Sequence, residues 1–231
     1  MNNHRFVVDE VTGSAVTYSM SSSSLNNPNE LELIRRAANS QPEIMATLFE
    51  QHRNRLKKMV RLRMDRRLQT RIDASDVLQD TWLDCERRFP EYAAAPPMPF
   101  FHWLRFLTGQ RLVDLHRKHL GTAARNVCQE VSLYQGALPA ASSVSLAEQL
   151  MGRLTSVSQA VQRAEIQVRI QNALNSLEAI DREVLILRHF EMLTNEETAQ
   201  ALGLKKAAAS NRYIRALKRL KEILDSVQGL R

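Results

Sequence analysis

One stretch decides the fold of the C-terminal part of the chain: residues 193–220, which read LTNEETAQALGLKKAAASNRYIRALKRL. Thr194, followed three residues later by Glu197, forms the pattern of a capping box and predicts the start of a helix. Gly203 lies where a turn between two helices needs a residue that tolerates positive φ. Ala199, four residues earlier, is small enough for two helices to cross closely. The stretch therefore predicts a helix-turn-helix.

The second helix of this unit is cationic along one side. Residues 205–221 hold seven Lys or Arg and no Asp or Glu. Cationic side chains supply affinity for phosphate, whereas Ser, Asn and Arg near the start of such a helix suit base edges in a major groove. The alternative is an ordinary helical hairpin with a solvated basic face. The side chains that the spacing places outward are Lys206, Ser210, Asn211, Ile214, Arg215 and Lys218.

Composition and charge bound the function of the whole chain. Its 231 residues carry a net charge of +7 and a pI near 9.8, which favours a polyanionic partner without specifying one. Cys85 and Cys128 fit no metal-ligand or redox spacing, so a reducing compartment is expected. The sequence shows neither a secretion signal nor the roughly 18 apolar residues of a membrane span. These features predict a cytoplasmic protein with no membrane partner.

Helical spacing of apolar residues occurs on both sides of a segment rich in small and polar residues. No alternating pattern indicates strands. The sequence therefore predicts an all-α fold, with two helical domains joined by a flexible linker and a helix-turn-helix in the second. Within the first domain, the prolines of residues 90–99 predict a non-helical loop. The predicted segments are a disordered tail at 1–28, a helical domain at 29–120, the linker at 121–157 and the helix-turn-helix domain at 158–231.

Charge is sharply segregated in the first domain. Residues 51–72 hold nine Lys or Arg and one Asp, whereas residues 73–86 hold five acids and no base. Asp76, Asp80 and Asp84 follow each other at i, i+4 and i+8, so they predict an acidic stripe on one helix. Such a stripe suits a basic protein partner, although a solvated face explains it equally well. No histidine or second acidic cluster completes a site, so no metal, cofactor or catalytic group is predicted.

The helix predicted from residue 100 interleaves aromatic and cationic side chains. Some of the rings must belong to the core. Others suit unstacked nucleic-acid bases, which stack on rings while Arg holds the backbone. The rings are Phe100, Phe101, Trp103 and Phe106, and the cations are Arg105, Arg111, Arg117 and Lys118.

Together these segments resemble a bacterial RNA polymerase sigma factor of the sigma-70 family, of the short, two-domain extracytoplasmic-function type. The segment DASDVLQDTWL at 73–83 is similar to region 2.2 of the family. The segment FFHWLRFLTGQRLVDLHRK at 100–118 is similar to the part that melts and reads the minus-ten element. Residues 177–220 match region 4, including the DREVL entry and the final RALKRL. The three segments occur in the family's order and with a suitable gap.

The resemblance implies a transcription initiation factor, not an enzyme, that binds core RNA polymerase and directs it to promoters. Docking on the β′ clamp would involve Asp76, Gln79 and Asp80, assisted by Asp73 and Asp84. Minus-ten DNA, including the melted non-template strand, would meet Phe100, Trp103, Arg105, Gln110, Arg111, Asp114, Arg117 and Lys118. Minus-thirty-five duplex would meet Ser210, Asn211, Ile214, Arg215 and Lys218, with Lys205, Lys206 and Arg212 toward the phosphate backbone. The polymerase β flap would engage the apolar surface of the second domain, and an anti-sigma factor is a further partner that the family allows.

Three features depart from the family pattern. Thr198 stands where an aliphatic residue is usual and would weaken helix packing; Gln110 replaces a frequent Asn; and residues 207–209 replace a common Gly-Thr-Val. These departures bear on the promoter sequence rather than on the class. A conventional helix-turn-helix regulator of duplex DNA is the main alternative, but it leaves the acidic and the aromatic helices unexplained. A recombinase or nuclease would need a nucleophile or metal carboxylates that the sequence does not assemble.

Overall fold

A computed structural model describes residues 6–8, 15–17, 28–38, 42–120, 138–139, 141–152 and 160–225. The all-α fold is confirmed, apart from one short pair of strands. The first half contains α1 (Pro28–Ala38), α2 (Pro42–Arg63), α3 (Arg66–Gln69), α4 (Ala74–Ala94) and α5 (Phe100–Leu120). The second half contains α6 (Ser143–Gly152), α7 (Ala160–Asn175), α8 (Ala179–Leu185), a π-helical turn (Ile186–Phe190), α9 (Asn195–Ala201) and α10 (Lys206–Asp225).

The pair of strands lies within the segment for which a disordered tail was predicted. Strands β1 (Phe6–Val8) and β2 (Ala15–Thr17) run antiparallel, with Phe6 opposite Thr17. Both strands are built mainly from aromatic and β-branched residues, which favour the extended backbone. The prediction of a wholly unstructured tail is therefore corrected for these six positions, and the other positions before Pro28 lie outside the described residues.

Helix α4 continues through Pro90 to Ala94, although a loop was predicted from residue 90 onward. Proline removes one backbone hydrogen bond and disfavours a helix interior. The turn that follows is held by Tyr92, whose buried ring stacks on Trp103 with 4.3 Å between centroids. The Tyr92 hydroxyl donates to the carbonyl of Met98 at 2.9 Å. This tertiary packing outweighs the local signal of the proline.

The helix-turn-helix forms as the sequence predicted. The Thr194 hydroxyl accepts from the backbone N–H of Glu197 at 3.1 Å, and the Glu197 carboxylate accepts from the backbone N–H of Thr194 at 2.7 Å. Gly203 has a φ of 63°, as the turn requires. Thr198 is fully buried, and its hydroxyl donates to the Thr194 carbonyl at 2.8 Å. The polar substitution at this family position thus leaves no unsatisfied hydroxyl.

Part of the predicted linker is a packed helix rather than a flexible tether. Leu146 and Ala147 of α6 are fully buried in one cluster with Ile166, Ile170 and Leu174 of α7. The sequence predicted a flexible linker here, because α6 is rich in small residues whose burial depends on the helix it packs against. Positions 121–137, 140 and 153–157 of the predicted linker lie outside the described residues.

The two halves meet through a buried network of charged side chains. Arg63, at the end of α2, donates Nε–H to the Glu191 carboxylate at 2.7 Å and also binds the Glu183 carboxylate and the Pro139 carbonyl. Arg105 of α5 donates Nε–H to the other oxygen of Glu191 at 3.1 Å. The first half therefore supplies both cations, and the second half supplies both carboxylates.

These buried charges stabilise one another. Burial alone would raise the pKa of Glu191, but the guanidiniums of Arg63 and Arg105 outweigh it and hold that pKa below its usual value. Burial likewise opposes the charge of Arg63, yet Glu183 and Glu191 raise its pKa. Removing one member would leave an uncompensated charge in the interior. The network is therefore stable only as a set.

Replacing Glu191 by Gln should lower the free energy of unfolding by about 3–5 kcal/mol, because two buried guanidiniums lose their shared carboxylate. Urea denaturation measures this change. The matched control is Glu148→Gln, which removes an exposed carboxylate 3.7 Å from Arg66 and should change the same quantity by less than about 1 kcal/mol. A loss for Glu191→Gln no larger than for the control would contradict the importance of the network.

Candidate protein-docking and nucleic-acid interfaces

The acidic segment forms the N-terminus of α4. Asp73 is the N-cap, and its carboxylate accepts from the backbone N–H of Ser75 at 2.7 Å; this hydrogen bond lowers the pKa of Asp73. Asp76 closes a capping box by accepting from the backbone N–H of Asp73 at 3.0 Å. Negative charge is favoured at a helix N-terminus, so the helix itself supports these carboxylates. Both side chains nevertheless remain exposed to solvent.

The exposed part of this surface is shorter than the sequence predicted. Asp76, Gln79 and Asp80 are exposed, and Leu83 on the next turn is 57% exposed. Asp84 is buried, and it accepts from Arg87 at 2.7 Å and from Arg111 of α5.

The predicted stripe is therefore wrong at Asp84. At 100° per residue, position i+8 lies about 80° around the helix from position i, which turns this carboxylate toward α5. We call Asp73, Asp76, Gln79, Asp80 and Leu83 the α4 patch.

Three residues predicted to contact minus-ten DNA are buried: Phe100, Trp103 and Arg105. The Phe100 and Trp103 rings pack with Phe89 and Tyr92 of α4. Arg105 is committed to Glu191 across the interface between the halves. The prediction that these side chains face DNA is therefore corrected for this arrangement of the chain. On α5, the rings of Phe100 and Trp103 therefore face α4, whereas Arg105 faces the second half.

The other predicted minus-ten residues lie toward the C-terminal end of α5. Asp114, Arg117 and Lys118 are exposed. The pKa of Arg111 is raised by its hydrogen bond to Asp84, and its side chain remains one-third exposed. Gln110 is half-buried, and its carbonyl accepts from Arg88 at 3.1 Å. The polar end of α5 thus remains available, and the DNA roles of these residues stay predictions.

Helix α10 presents a mixed surface of apolar, polar and cationic side chains. Ile214 is 61% exposed, which is unusual for a large apolar side chain. Asn211 is exposed and Ser210 is half-buried, one turn before Ile214. Lys206 lies 3.3 Å from the Glu196 carboxylate. Lys205 and Lys218 are among the other exposed cations on or beside this helix.

Two arginines of α10, Arg212 and Arg215, share a partner that sequence reasoning missed. Asp181, in the first turn of α8, is buried and accepts from Arg212 Nη1 at 2.7 Å and from Arg215 Nε at 3.0 Å. The hydrogen bond from Asp181 raises the pKa of Arg212, which also lies 3.4 Å from Glu178. Asp181 is the first residue of the DREVL segment, and the resemblance of that segment to the family did not predict its contacts with Arg212 and Arg215.

A second missed contact ties the helix-turn-helix to the first half. Arg55 of α2 donates to both oxygens of Glu197 at 3.1 Å, and its guanidinium lies 3.6 Å over the Phe101 ring. Glu197 is also the capping-box residue of α9, so one carboxylate serves both contacts. The run of positive charge at 51–72 gave no signal that this arginine differs from its neighbours.

No helix in the part of the chain that the structure describes is long and apolar enough to cross a membrane. Over the same residues, no three His, Cys, Asp or Glu side chains come together in a group that would hold a metal ion. The surfaces that remain as candidates are the α4 patch, the end of α5 and the outer face of α10.

His102 of α5 has a partly buried imidazole beside the interface between the halves. Its Nε2 has no hydrogen-bond partner among the residues described. Burial lowers the pKa of His102 to about 4; the positive charges of Arg105 and Arg55 act in the same direction, whereas Glu197 opposes them. The unfolded chain therefore binds more protons than the folded chain between about pH 6.5 and pH 4. The free energy of unfolding accordingly decreases as the pH is lowered through this range.

Between pH 7 and pH 5, the wild-type chain should lose about 2 kcal/mol more unfolding free energy than His102→Gln, because only the wild type has this imidazole to protonate on unfolding. Urea denaturation at the two pH values measures the difference. Burial would raise the pKa of Glu197, but its backbone hydrogen bond from Thr194 and the charge of Arg55 outweigh burial and lower it. The stability that the Glu197 carboxylate contributes is therefore lost only below pH 5, outside the range of this comparison. Equal losses in both proteins would show that His102 takes up protons within the fold.

Residues 167–220 match the family model for Sigma-70, region 4, which spans α7 to α10. Over 57 residues, the chain is 40% identical to an RNA polymerase sigma-E factor of Streptomyces avermitilis and 39% identical to one of Streptomyces antibioticus. These matches cover 25% of this chain and 32% of each relative, so the chain spans about a third of the length of the curated relatives it matches.

Two solved structures are similar over most of their length. The structure of CnrH in complex with the cytosolic domain of CnrY is 20% identical, with 86% of this chain and 99% of that chain covered and a TM-score of 0.49. The sigma factor RpoE in complex with the anti-sigma factor NepR from Bartonella quintana is 19% identical, with 81% and 98% covered and a TM-score of 0.41. The region 4 match and the sigma-E relatives support the predicted resemblance to the sigma-70 family within residues 167–220.

Proposed function

We propose that the chain is a transcription initiation factor that binds core RNA polymerase and directs it to specific promoters. The observation that carries this proposal is the presence, on one chain, of a region 4 and an exposed acidic patch on α4. A conventional regulator of duplex DNA needs a helix-turn-helix, which region 4 contains, but it has no use for the acidic patch. The proposal also gives the two halves separate tasks.

The α4 patch is the proposed docking surface for the polymerase β′ clamp. It combines carboxylates, the Gln79 amide and the exposed Leu83 side chain on adjacent turns of one helix. Carboxylates steer a basic partner and fix its register, while an apolar side chain within the charged rim supplies area to bury. The polymerase β flap is the proposed partner of the apolar surface of the second half.

Helix α10 is proposed to lie in the major groove of the minus-thirty-five element. Ser210, Asn211 and Ile214 face outward near its start, where a recognition helix meets base edges. An amide pairs with adenine, and an apolar side chain contacts the methyl group of thymine. Lys205 and Lys218 would bind phosphates, which gives affinity without sequence information.

The exposed end of α5 and the loop at 95–99 are proposed to hold the melted minus-ten strand. The loop lies beside the aromatic cluster of α4 and α5, and Arg117 and Lys118 supply positive charge for phosphates. Unstacking a base costs a few kcal/mol, which backbone contacts from both halves would have to offset. Strand separation therefore depends on the chain being held on polymerase.

The packed halves support weak DNA binding by the chain alone. Arg105 is committed to Glu191, and Arg55 binds the first helix of the helix-turn-helix. We expect the free chain to bind duplex promoter weakly and the complex with polymerase to bind it tightly. An anti-sigma factor is proposed as a further partner on the family resemblance.

The docking proposal is tested by co-purification with bacterial core polymerase. Asp76→Arg/Asp80→Arg should reduce the amount of chain retained at least tenfold, because it places two cations against a basic surface. The matched control is Glu43→Arg/Glu50→Arg, which makes the same change of charge at two exposed acids of α2 and should leave retention unchanged.

Two outcomes would count against the proposal. If both double variants lose binding equally, the effect is one of net charge rather than of the α4 patch. If wild type is not retained on polymerase yet binds duplex DNA tightly and with sequence preference, the conventional regulator takes the place of the sigma factor.

A further inference from the structure

We infer that Asp181 is a positioning residue for DNA recognition: it holds the guanidinium of Arg215 in one orientation on the outer face of α10. The inference rests on the proposed function, which makes α10 the helix that reads the promoter. It extends that function to a residue on a different helix, α8, whose side chain is buried and does not itself reach DNA.

The contact between Asp181 and Arg215 has the geometry of a fork. Arg215 donates Nε–H to one carboxylate oxygen at 3.0 Å, and its Nη2 lies 3.4 Å from the other. Two N–H groups of one planar guanidinium therefore face one carboxylate. Such pairing restricts orientation as well as contributing energy. A buried acceptor on a neighbouring helix thus fixes a side chain that would otherwise be mobile on the surface.

The pair leaves the outer edge of the guanidinium unused. Arginine has five N–H donors in a rigid plane, and Asp181 takes two of them on the Nε side. The Arg215 side chain remains 57% exposed, so the other donors face solvent beside Ile214. An arginine held in this way loses less side-chain entropy when it binds, and its free edge suits the O6 and N7 atoms of guanine.

Arg212 has a different place in the cluster. Its side chain is only 28% exposed, and it binds Asp181 at 2.7 Å with Glu178 at 3.4 Å. It completes the compensation of the buried carboxylate and has less surface to offer DNA. In this cluster Arg215 is the arginine that contacts bases, and Arg212 neutralises the buried carboxylate. The family resemblance had assigned both arginines to contacts with minus-thirty-five DNA.

The experiment uses the full chain assembled with bacterial core polymerase. Duplex fragments carrying a randomised upstream element are bound, recovered and sequenced for wild type, Asp181→Asn, Arg215→Ala and the double variant. Arg215→Ala should reduce the base preference at one or two positions about tenfold. Asp181→Asn should reduce the preference at the same positions severalfold, and the double variant should be no worse than Arg215→Ala alone.

A merely structural ion pair predicts a different pattern. Its loss would lower binding at all positions evenly, and its effect would add in full to that of Arg215→Ala. Either of these results, or a preference that Asp181→Asn leaves intact, would overturn the inference. A wild-type complex that shows no base preference at any position would overturn the proposed function as well, so the two failures are distinguishable.

A second measurement tests the wild type directly and needs no folded Asp181 variant. Nitrogen-15 NMR of the full chain follows the side-chain Nε–H of each arginine, with Arg215→Ala identifying the signal of Arg215. Its Nε–H should exchange with water at least tenfold more slowly than that of the exposed Arg219. Equal exchange rates would show that the guanidinium is not held and would overturn the inference.

Discussion

The packing of the two halves centres on one buried carboxylate, that of Glu191, which lies between Arg63 and Arg105. It joins the end of α2 and the middle of α5 to the turn that follows the π-helix. Met192 adopts a φ of 61°, which a non-glycine residue takes only at a cost of about 1–2 kcal/mol. This conformation allows the residues on either side, Glu191 and Leu193, to be buried while Met192 itself is exposed. The network that forms in return ties the two halves together.

This constraint divides the functional surfaces into two groups. The α4 patch, the end of α5 and the outer face of α10 remain exposed while the halves are packed together. Arg105 and the rings of Phe100 and Trp103, in contrast, are buried in the interface or the core. The same ion pairs that stabilise the packed arrangement therefore keep part of the proposed minus-ten surface away from DNA. Under the proposed function, the α4 patch would be available to polymerase before the full DNA-binding surface is exposed.

Features that depend on local spacing could be predicted from the sequence. The capping box of Thr194 and Glu197 and the turn at Gly203 are set by residues within ten positions of each other, and they form as expected. The burial of Asp84 and Arg105 could not be predicted, because it depends on partners 27 and 86 residues away in the sequence. The role of Asp181 was missed for the same reason, because its carboxylate binds two arginines that lie on another helix, more than 30 residues away in the sequence. Periodicity locates a helix and its faces, but it does not say which charge will find a buried partner.

The most direct test of the account is transcription in vitro from a pool of bacterial genomic fragments, with core polymerase in the presence and absence of the chain. Sequencing the 5′ ends of the transcripts identifies the start sites. The account predicts a set of start sites that depend on the chain and that share two short upstream elements at a fixed spacing. Identical transcripts with and without the chain would contradict the claim that it directs polymerase to promoters.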